Sequence, residues 1–127
     1  MTTLRQPGTA EAPLPASILS QGSQLIVSIH TALDDEQLTR LQMDLMDQVG
    51  RQRSRGIIID VGAVDVLDSF AARTLGDLAR MAKLRGADTV VVGIAPEVAM
   101  AMVLMGIHMP LVHTALDLEE GLRWLST

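Results

Sequence analysis

Two short runs of β-branched residues constrain the fold of this chain more than any other feature. The first covers Gly56–Val61 (GIIIDV) and the second covers Asp88–Ile94 (DTVVVGI). Apolar runs of this length, bounded by turn residues, are typical of buried strands. A pattern with helical period follows each run, and strands that alternate with helices form a largely parallel sheet with right-handed crossovers. The sequence therefore predicts an α/β fold.

The remaining elements are predicted from turn and helix signals. The turn residues Ser20–Ser23 separate two strand-like runs, Ala16–Leu19 and Gln24–Ile29, which predicts an antiparallel hairpin. A helix is predicted from Thr31 or Asp34, with an apolar stripe at Leu38, Leu41, Leu45 and Val49. Further helices are predicted from Ser69, from Pro96 and over Leu116–Leu125, the last after a short segment at Leu111–His113. The architecture expected is a mixed sheet of four to five strands with about four helices mainly on one face.

Length and composition narrow the class of protein. The 127 residues fit one domain, 15–127, after a flexible tail over residues 1–14. The tail lacks the apolar core of a secretory signal, and no apolar run reaches the roughly 18 residues of a membrane span, so we expect a cytoplasmic protein without a membrane partner. A net charge of −5 with scattered basic residues argues against nucleic acid. The absence of cysteine excludes disulfides and thiolate chemistry.

Ser69 stands where the first strand-like run gives way to helical periodicity, at the sequence Asp68-Ser69-Phe70. Backbone N–H groups are unpaired at a helix start and the helix dipole is positive there, so a phosphate added to Ser69 would find part of its charge compensated. This favours a phosphorylation switch. A plain N-cap explains the same Asp-Ser pair without any function, because both residue types are preferred caps.

Other chemistry has little support in the sequence. Asp60, Asp65 and Asp68 could bind Mg²⁺ or accept a phosphoryl group, as in a response-regulator receiver. That chemistry also needs a lysine after a late strand, and the single lysine, Lys83, lies in a predicted helix. Three histidines show none of the spacings that zinc sites use: His30, His108 and His113. No phosphate loop or nucleophile elbow is present, so we expect no metal, no cofactor and no enzymatic activity.

The segment from Pro96 to Ile107 is apolar on every side after Glu97. Such a helix is either buried all round or exposes a patch that other chains cover, and a small sheet covers only one side of it. We expect self-association, with Met102 and Met105 at the assembly interface. The alternative is a core filled by flexible methionine side chains.

Two smaller features leave alternatives open. Gly76 lies inside the predicted Ser69 helix, where glycine costs about 1 kcal/mol relative to alanine, and a close approach by another backbone, from this domain or from a partner, would explain it. Arg51, Arg53 and Arg55 cluster at the end of the first predicted helix, either as a solvated helix end or as a docking contact.

The stretch Ile57–Asp77 (IIIDVGAVDVLDSFAARTLGD) resembles the STAS domain of anti-sigma-factor antagonists, and in particular the branch that builds stressosomes. The likeness continues almost without interruption from about Leu25 to Leu125. Phe70 and Ala71 stand where many members have Ser or Thr and then Gly, a departure shared with the stressosome branch.

The resemblance implies a STAS-like fold and a non-enzymatic, partner-switching scaffold. It implies that the unmodified protein holds a serine/threonine switch kinase, that phosphorylation at Ser69 releases the kinase, and that a phosphatase reverses the modification. It also implies co-assembly with larger STAS paralogues that carry sensor domains. Partner contacts are expected around the switch, at Asp65, Asp68, Phe70, Arg73 and Asp77, with Phe70 either a core anchor or a partner contact.

Two alternatives remain at this point. One is a free-standing antagonist that binds an anti-sigma kinase without building a large complex. The other is a small-molecule or nucleotide-binding module that uses the same sheet edge.

Overall fold

The computed structural model describes residues 15–127, so the tail predicted over residues 1–14 lies outside the described residues. The elements follow one another as β1 (Ala16–Gln21), β2 (Gln24–Ile29), α1 (Asp35–Gln52), β3 (Gly56–Asp60), α2 (Ser69–Leu84), β4 (Asp88–Val92), α3 (Pro96–Leu104), β5 (Val112–Ala115) and α4 (Leu118–Leu125).

One five-stranded sheet organises the described part of the chain, with the strands in the order β1-β2-β3-β4-β5. β1 pairs with β2 in antiparallel fashion, with Ile18 opposite Val27, and every later pair is parallel. In the centre of the sheet Ile58 of β3 lies opposite both Ile26 of β2 and Val90 of β4. The prediction of a mixed sheet with an antiparallel first pair is confirmed.

Helix α1 begins and ends at recognisable local signals. The Asp34 carboxylate accepts a hydrogen bond from the Gln37 N–H at 2.7 Å, and the Gln37 side chain accepts one from the Asp34 N–H at 2.9 Å, which is a reciprocal capping box. The predicted apolar stripe is buried: Leu38, Leu41, Leu45 and Val49. The helix ends at Arg53, whose backbone is left-handed with φ of 52°.

The two faces of the sheet are covered unequally. Side chains that alternate along the strands, such as Ile57 and Ile59, join α1, α2 and α3 in the larger core. The intervening Ile58, Val90 and Val92 face the other way, where Leu122 and Leu125 of α4 pack on them. Three helices therefore lie on one face and one on the other, which confirms the predicted arrangement.

Helix α3 places its residues differently from the sequence expectation. Val98 and Met102 are one turn apart and both are buried in the larger core, Met102 being 8% exposed. The expectation that Met102 lies at an exposed assembly interface is therefore wrong, because this position faces the sheet. Met100, Val103 and Leu104 are exposed on the outer side of the helix, and Met105, which follows the helix, is 56% exposed where the chain turns towards α2. A role for Met105 in assembly stays a prediction.

Candidate functional site at the start of helix α2

The loop from β3 to α2 is fixed to the core at three points. Val61, Val64 and Leu67 are buried in the larger core, while Asp65 and Val66 between them face solvent. The Val61 N–H donates to the Val92 carbonyl at 3.0 Å and the Val64 N–H to the Val61 carbonyl at 2.9 Å, so the loop leaves the sheet in a defined turn. The spacing of the three apolar anchors thus sets where α2 begins.

Asp68 and Ser69 have separate roles at that helix start. Asp68 is the N-cap, and its carboxylate accepts a hydrogen bond from the Ala71 N–H at 2.8 Å. Ser69 is the first helical residue and is exposed. Its hydroxyl makes no hydrogen bond to any residue in the range 15–127. Since Asp68 satisfies the cap, the Ser69 hydroxyl is available for other chemistry.

The charges around Ser69 oppose one another. The amide groups of Ser69 and Phe70 donate to no group within the described residues, so they add to the positive end of the helix dipole. Arg73 lies one turn along the same helix and is exposed. The carboxylates of Asp65 and Asp68 precede the helix and are also exposed. A phosphate on Ser69 would therefore meet attraction from the helix and Arg73, and repulsion from the loop.

A groove of about 250 Å³ runs from Ser69 along α2. Its helix side is formed by Ser69, Arg73, Gly76 and Arg80, and its opposite side by the segment 105–108 with Pro110. Gly106 adopts a positive φ of 67° where the chain turns after α3, which brings His108 to the groove. The predicted phosphorylation site thus lies at one end of a polar depression.

The other predicted contact residues are distributed around this surface. Asp77 forms an ion pair with Arg80 at 2.8 Å, and both side chains are about half exposed. Phe70 is partly buried and packs against the larger core, so it anchors the helix start. Thr74, the other hydroxyl on α2, is only 7% exposed and donates to the Phe70 carbonyl at 2.9 Å. Among the hydroxyls of α2, that of Ser69 is the accessible one.

Comparison with known proteins assigns the family. The model of the STAS domain matches residues 16–121, which is most of the chain. The chain belongs to the STAS-domain family. A serine-to-glutamate variant of Moorella thermoacetica RsbS is 32% identical, with a TM-score of 0.74 over 87% of this chain and 94% of that one. A chain of the stressosome, described as a signal integration and transduction hub, is 29% identical, with a TM-score of 0.68 over 87% and 96%.

Two further relatives are a longer protein and a more distant structural neighbour. The Bacillus subtilis (strain 168) RsbT co-antagonist protein RsbRA is 31% identical over 91 residues, covering 72% of this chain and 33% of that protein. This STAS chain therefore spans about a third of the length of that relative. The anti-sigma-factor antagonist SpoIIAA, at 12% identity and a TM-score of 0.63 over 83% of this chain and 91% of that one, shares the STAS fold.

Several surface features of this STAS domain were not found by sequence reasoning. Val66 is 60% exposed in the loop between Asp65 and Asp68, whereas an apolar side chain is expected to be buried. The segment from Met105 to Pro110 forms half of the groove, and the only signal for it was a glycine after a helix. Its approach to α2 depends on tertiary packing.

The structure excludes one of the two sequence explanations for Gly76 and leaves the other, a contact with a partner, as a prediction. No atom lies within 4 Å of the position that a Cβ would occupy, so no backbone of the described residues approaches it closely. An internal packing contact is therefore wrong, and Gly76 instead opens onto the groove.

The described part of the STAS domain has neither a metal-ligand cluster nor a membrane-spanning helix. Within residues 15–127, no three His, Asp or Glu side chains are grouped so as to hold a metal ion. In the same range, no helix combines the length and the apolar character needed to cross a bilayer.

Proposed function

We propose that this STAS domain is a regulatory scaffold of the stressosome type, similar in role to RsbS. In its unmodified form it holds a serine/threonine switch kinase, of the kind named RsbT, on the surface around Ser69. Phosphorylation of Ser69 by that kinase releases it, and a phosphatase restores the holding form. The domain itself supplies no catalytic group.

The observation that carries this proposal is the free hydroxyl of Ser69. It is exposed at the first position of α2, while the neighbouring Asp68 provides the helix cap. A kinase can therefore reach and phosphorylate the Ser69 hydroxyl without first breaking the helix cap or opening the core. The buried and hydrogen-bonded Thr74 offers no such access.

Release follows from charge and desolvation. A phosphoserine carries about −1.5 to −2 charges, and here the charge would be added beside Asp65 and Asp68. The helix start and Arg73 allow the isolated domain to tolerate the phosphate. A docked partner would have to desolvate the phosphate and lie against three negative groups, namely the phosphate and the carboxylates of Asp65 and Asp68. Phosphorylation should therefore reduce the affinity for the partner more than it reduces the stability of the fold.

Assembly is supported by the outer side of α3. Met100, Val103 and Leu104 are exposed together on a helix that presents no polar residue beyond Glu97, and Met105 is exposed directly after it. Isolated domains rarely leave such apolar groups uncovered unless they bind another protein. The proposed occupants are further STAS domains, either copies of this chain or sensor-bearing paralogues of the RsbR kind.

The test uses the purified chain with the switch kinase of the same organism. Ser69→Ala should retain kinase binding and lose phosphorylation, while Ser69→Asp should weaken binding, although one carboxylate carries less charge than phosphate. Ser20→Ala, an exposed serine in β1, is the matched control and should change neither property. Phosphosite mapping by mass spectrometry and titration calorimetry provide the two readouts.

Phosphate found on Thr74 or in residues 1–14, with Ser69 unmodified, would contradict the proposal. Size-exclusion chromatography with a sensor-bearing paralogue separates the scaffold from a free-standing antagonist. A scaffold should elute as a large mixed complex, whereas a free antagonist would bind the kinase and remain small.

A further inference from the structure

A second cavity lies at the opposite end of the sheet from Ser69. It has a volume of about 660 Å³ and is open to solvent. The ends of α1 and α2 and the residues before β3 enclose it, and three of its seven lining residues are arginines: Arg53, Arg55 and Arg85. No carboxylate lines it, although the chain as a whole has a net charge of −5. Positive charge is therefore concentrated on one part of an acidic protein.

These three arginines lack the contacts of ordinary surface arginines. Arg51, the neighbour of Arg53, forms an ion pair with Asp47 and does not line the cavity. Within residues 15–127, Arg53, Arg55 and Arg85 form no ion pair, and their guanidinium groups donate no hydrogen bond to a main-chain carbonyl. They are not bonded as caps of the two helix ends beside them.

The charge at the cavity is positive even after the helices are counted. Two helix carboxyl ends meet there, and each contributes roughly half a negative charge. Three guanidinium groups exceed this by about two positive charges. An anion in the cavity would therefore be attracted despite the helix ends.

Ser54 provides independent evidence for a ligand. It lines the cavity and is only 3% exposed, yet its buried hydroxyl has no hydrogen-bond partner among the described residues. Buried hydroxyls are normally satisfied, and an unsatisfied one is destabilising. Less than 1 Å² of the Oγ is accessible, so a change of the Ser54 rotamer is needed before a ligand oxygen in the cavity can supply the missing partner.

Two backbone features place arginine side chains at the cavity and each lowers the stability of the fold. Arg53 adopts a left-handed conformation that glycine would adopt with less strain. Gly50 lies within α1, where alanine is the better helix former, but a Cβ there would lie 2.5 Å from Arg85 Nη2. Position 53 thus carries an arginine although glycine would be less strained there. Position 50 carries a glycine although alanine would favour the helix, because alanine would displace Arg85.

We propose that this cavity binds a small polyphosphate anion. Guanidinium groups bind phosphate through paired N–H donors, and three of them around 660 Å³ exceed what one phosphate group requires. The lining contains no aromatic side chain on which a nucleobase could stack. Recognition is therefore directed to the phosphates, and the site is separate from the Ser69 surface.

The test is a calorimetric titration of the full chain with inorganic pyrophosphate at low ionic strength. Saturable 1:1 binding is expected. Arg85→Gln should weaken it about tenfold or more, since charge-assisted hydrogen bonds are lost. Arg123→Gln, which removes the same charge from α4 outside the cavity, should change the affinity less than about twofold because distant exposed charges are screened.

A second variant separates geometry from charge. Gly50→Ala keeps every arginine but displaces the Arg85 guanidinium, so it should lower pyrophosphate affinity severalfold while raising the melting temperature. ADP should bind no tighter than pyrophosphate. Absence of saturable pyrophosphate binding, equal losses in the two arginine variants, or a clear preference for ADP would each overturn the proposal.

Discussion

At the scale of single residues, Asp68 and Ser69 divide two tasks that either side chain could perform. Asp68 bonds to the Ala71 N–H and caps α2, while the Ser69 hydroxyl is left without a partner in the described part of the chain. Asp68→Ala should therefore lose about 1 kcal/mol of unfolding free energy, and Ser69→Ala should stay within about 0.5 kcal/mol of the wild type. Urea denaturation of the two variants measures the difference. A larger loss for Ser69→Ala would make the serine the structural cap.

The residue scale also shows which parts of the site the sequence could predict. The helix start at Ser69 was predictable because a β-branched run changes to helical period within a few residues. Burial of Met102 was not, since α3 has no polar residue after Glu97 and so gives no sign of which side faces the sheet. The groove beside Ser69 was also missed, because half of it comes from a segment more than thirty residues later.

At the scale of elements, α3 offers a matched pair of substitutions. Met102→Glu places a carboxylate in the larger core without a partner and should cost at least about 3 kcal/mol. Met105→Glu, near the exposed end of the same helix, should cost less than about 1 kcal/mol and reduce self-association. Thermal unfolding and light scattering report the two effects. If Met105→Glu leaves the oligomeric state unchanged, this surface is not the assembly interface.

Helix α4 depends on one glycine to reach the sheet. A Cβ at Gly121 would lie 3.0 Å from Val92 Cγ1 and 3.4 Å from Val90 Cγ1, so the helix packs directly on β4. Gly121→Leu should force the helix outward and cost about 1–3 kcal/mol. Arg123→Leu introduces the same side chain at an exposed position of α4 and serves as the control. Equal unfolding free energies of the two variants in chemical denaturation would show that α4 can move away from the sheet without loss of stability.

At the scale of the whole molecule, β3 and β4 link the two cores because their side chains alternate between the faces. We therefore expect a single cooperative unfolding transition. The only tryptophan, Trp124, stacks on His113 with ring centroids 4.0 Å apart and reports on the α4 face. Its fluorescence and the far-UV circular dichroism should give the same midpoint. An earlier fluorescence transition would mean that α4 unfolds as a separate unit.

Part of the sheet topology could be predicted from the sequence, and part could not. Alternating strand and helix patterns predicted a mixed sheet, and the hairpin signal predicted its antiparallel first pair. The strand order could not be predicted from periodicity, because the pattern within a strand does not say which strand lies beside it. The cavity at Arg53, Arg55 and Arg85 was equally hidden, since Arg85 joins the other two only after α2 folds back along α1.

The spatial order of the strands is also the order in which a ribosome makes them. Each new strand can pair with the one synthesised just before it, so the sheet can grow from its first edge without waiting for distant sequence. The face of the sheet that α4 covers stays open for longer, because α4 follows all five strands in the chain. Until α4 emerges, Ile58, Val90 and Val92 face water, and a nascent chain stalled before residue 118 presents an uncovered apolar surface to chaperones and to other unfinished chains.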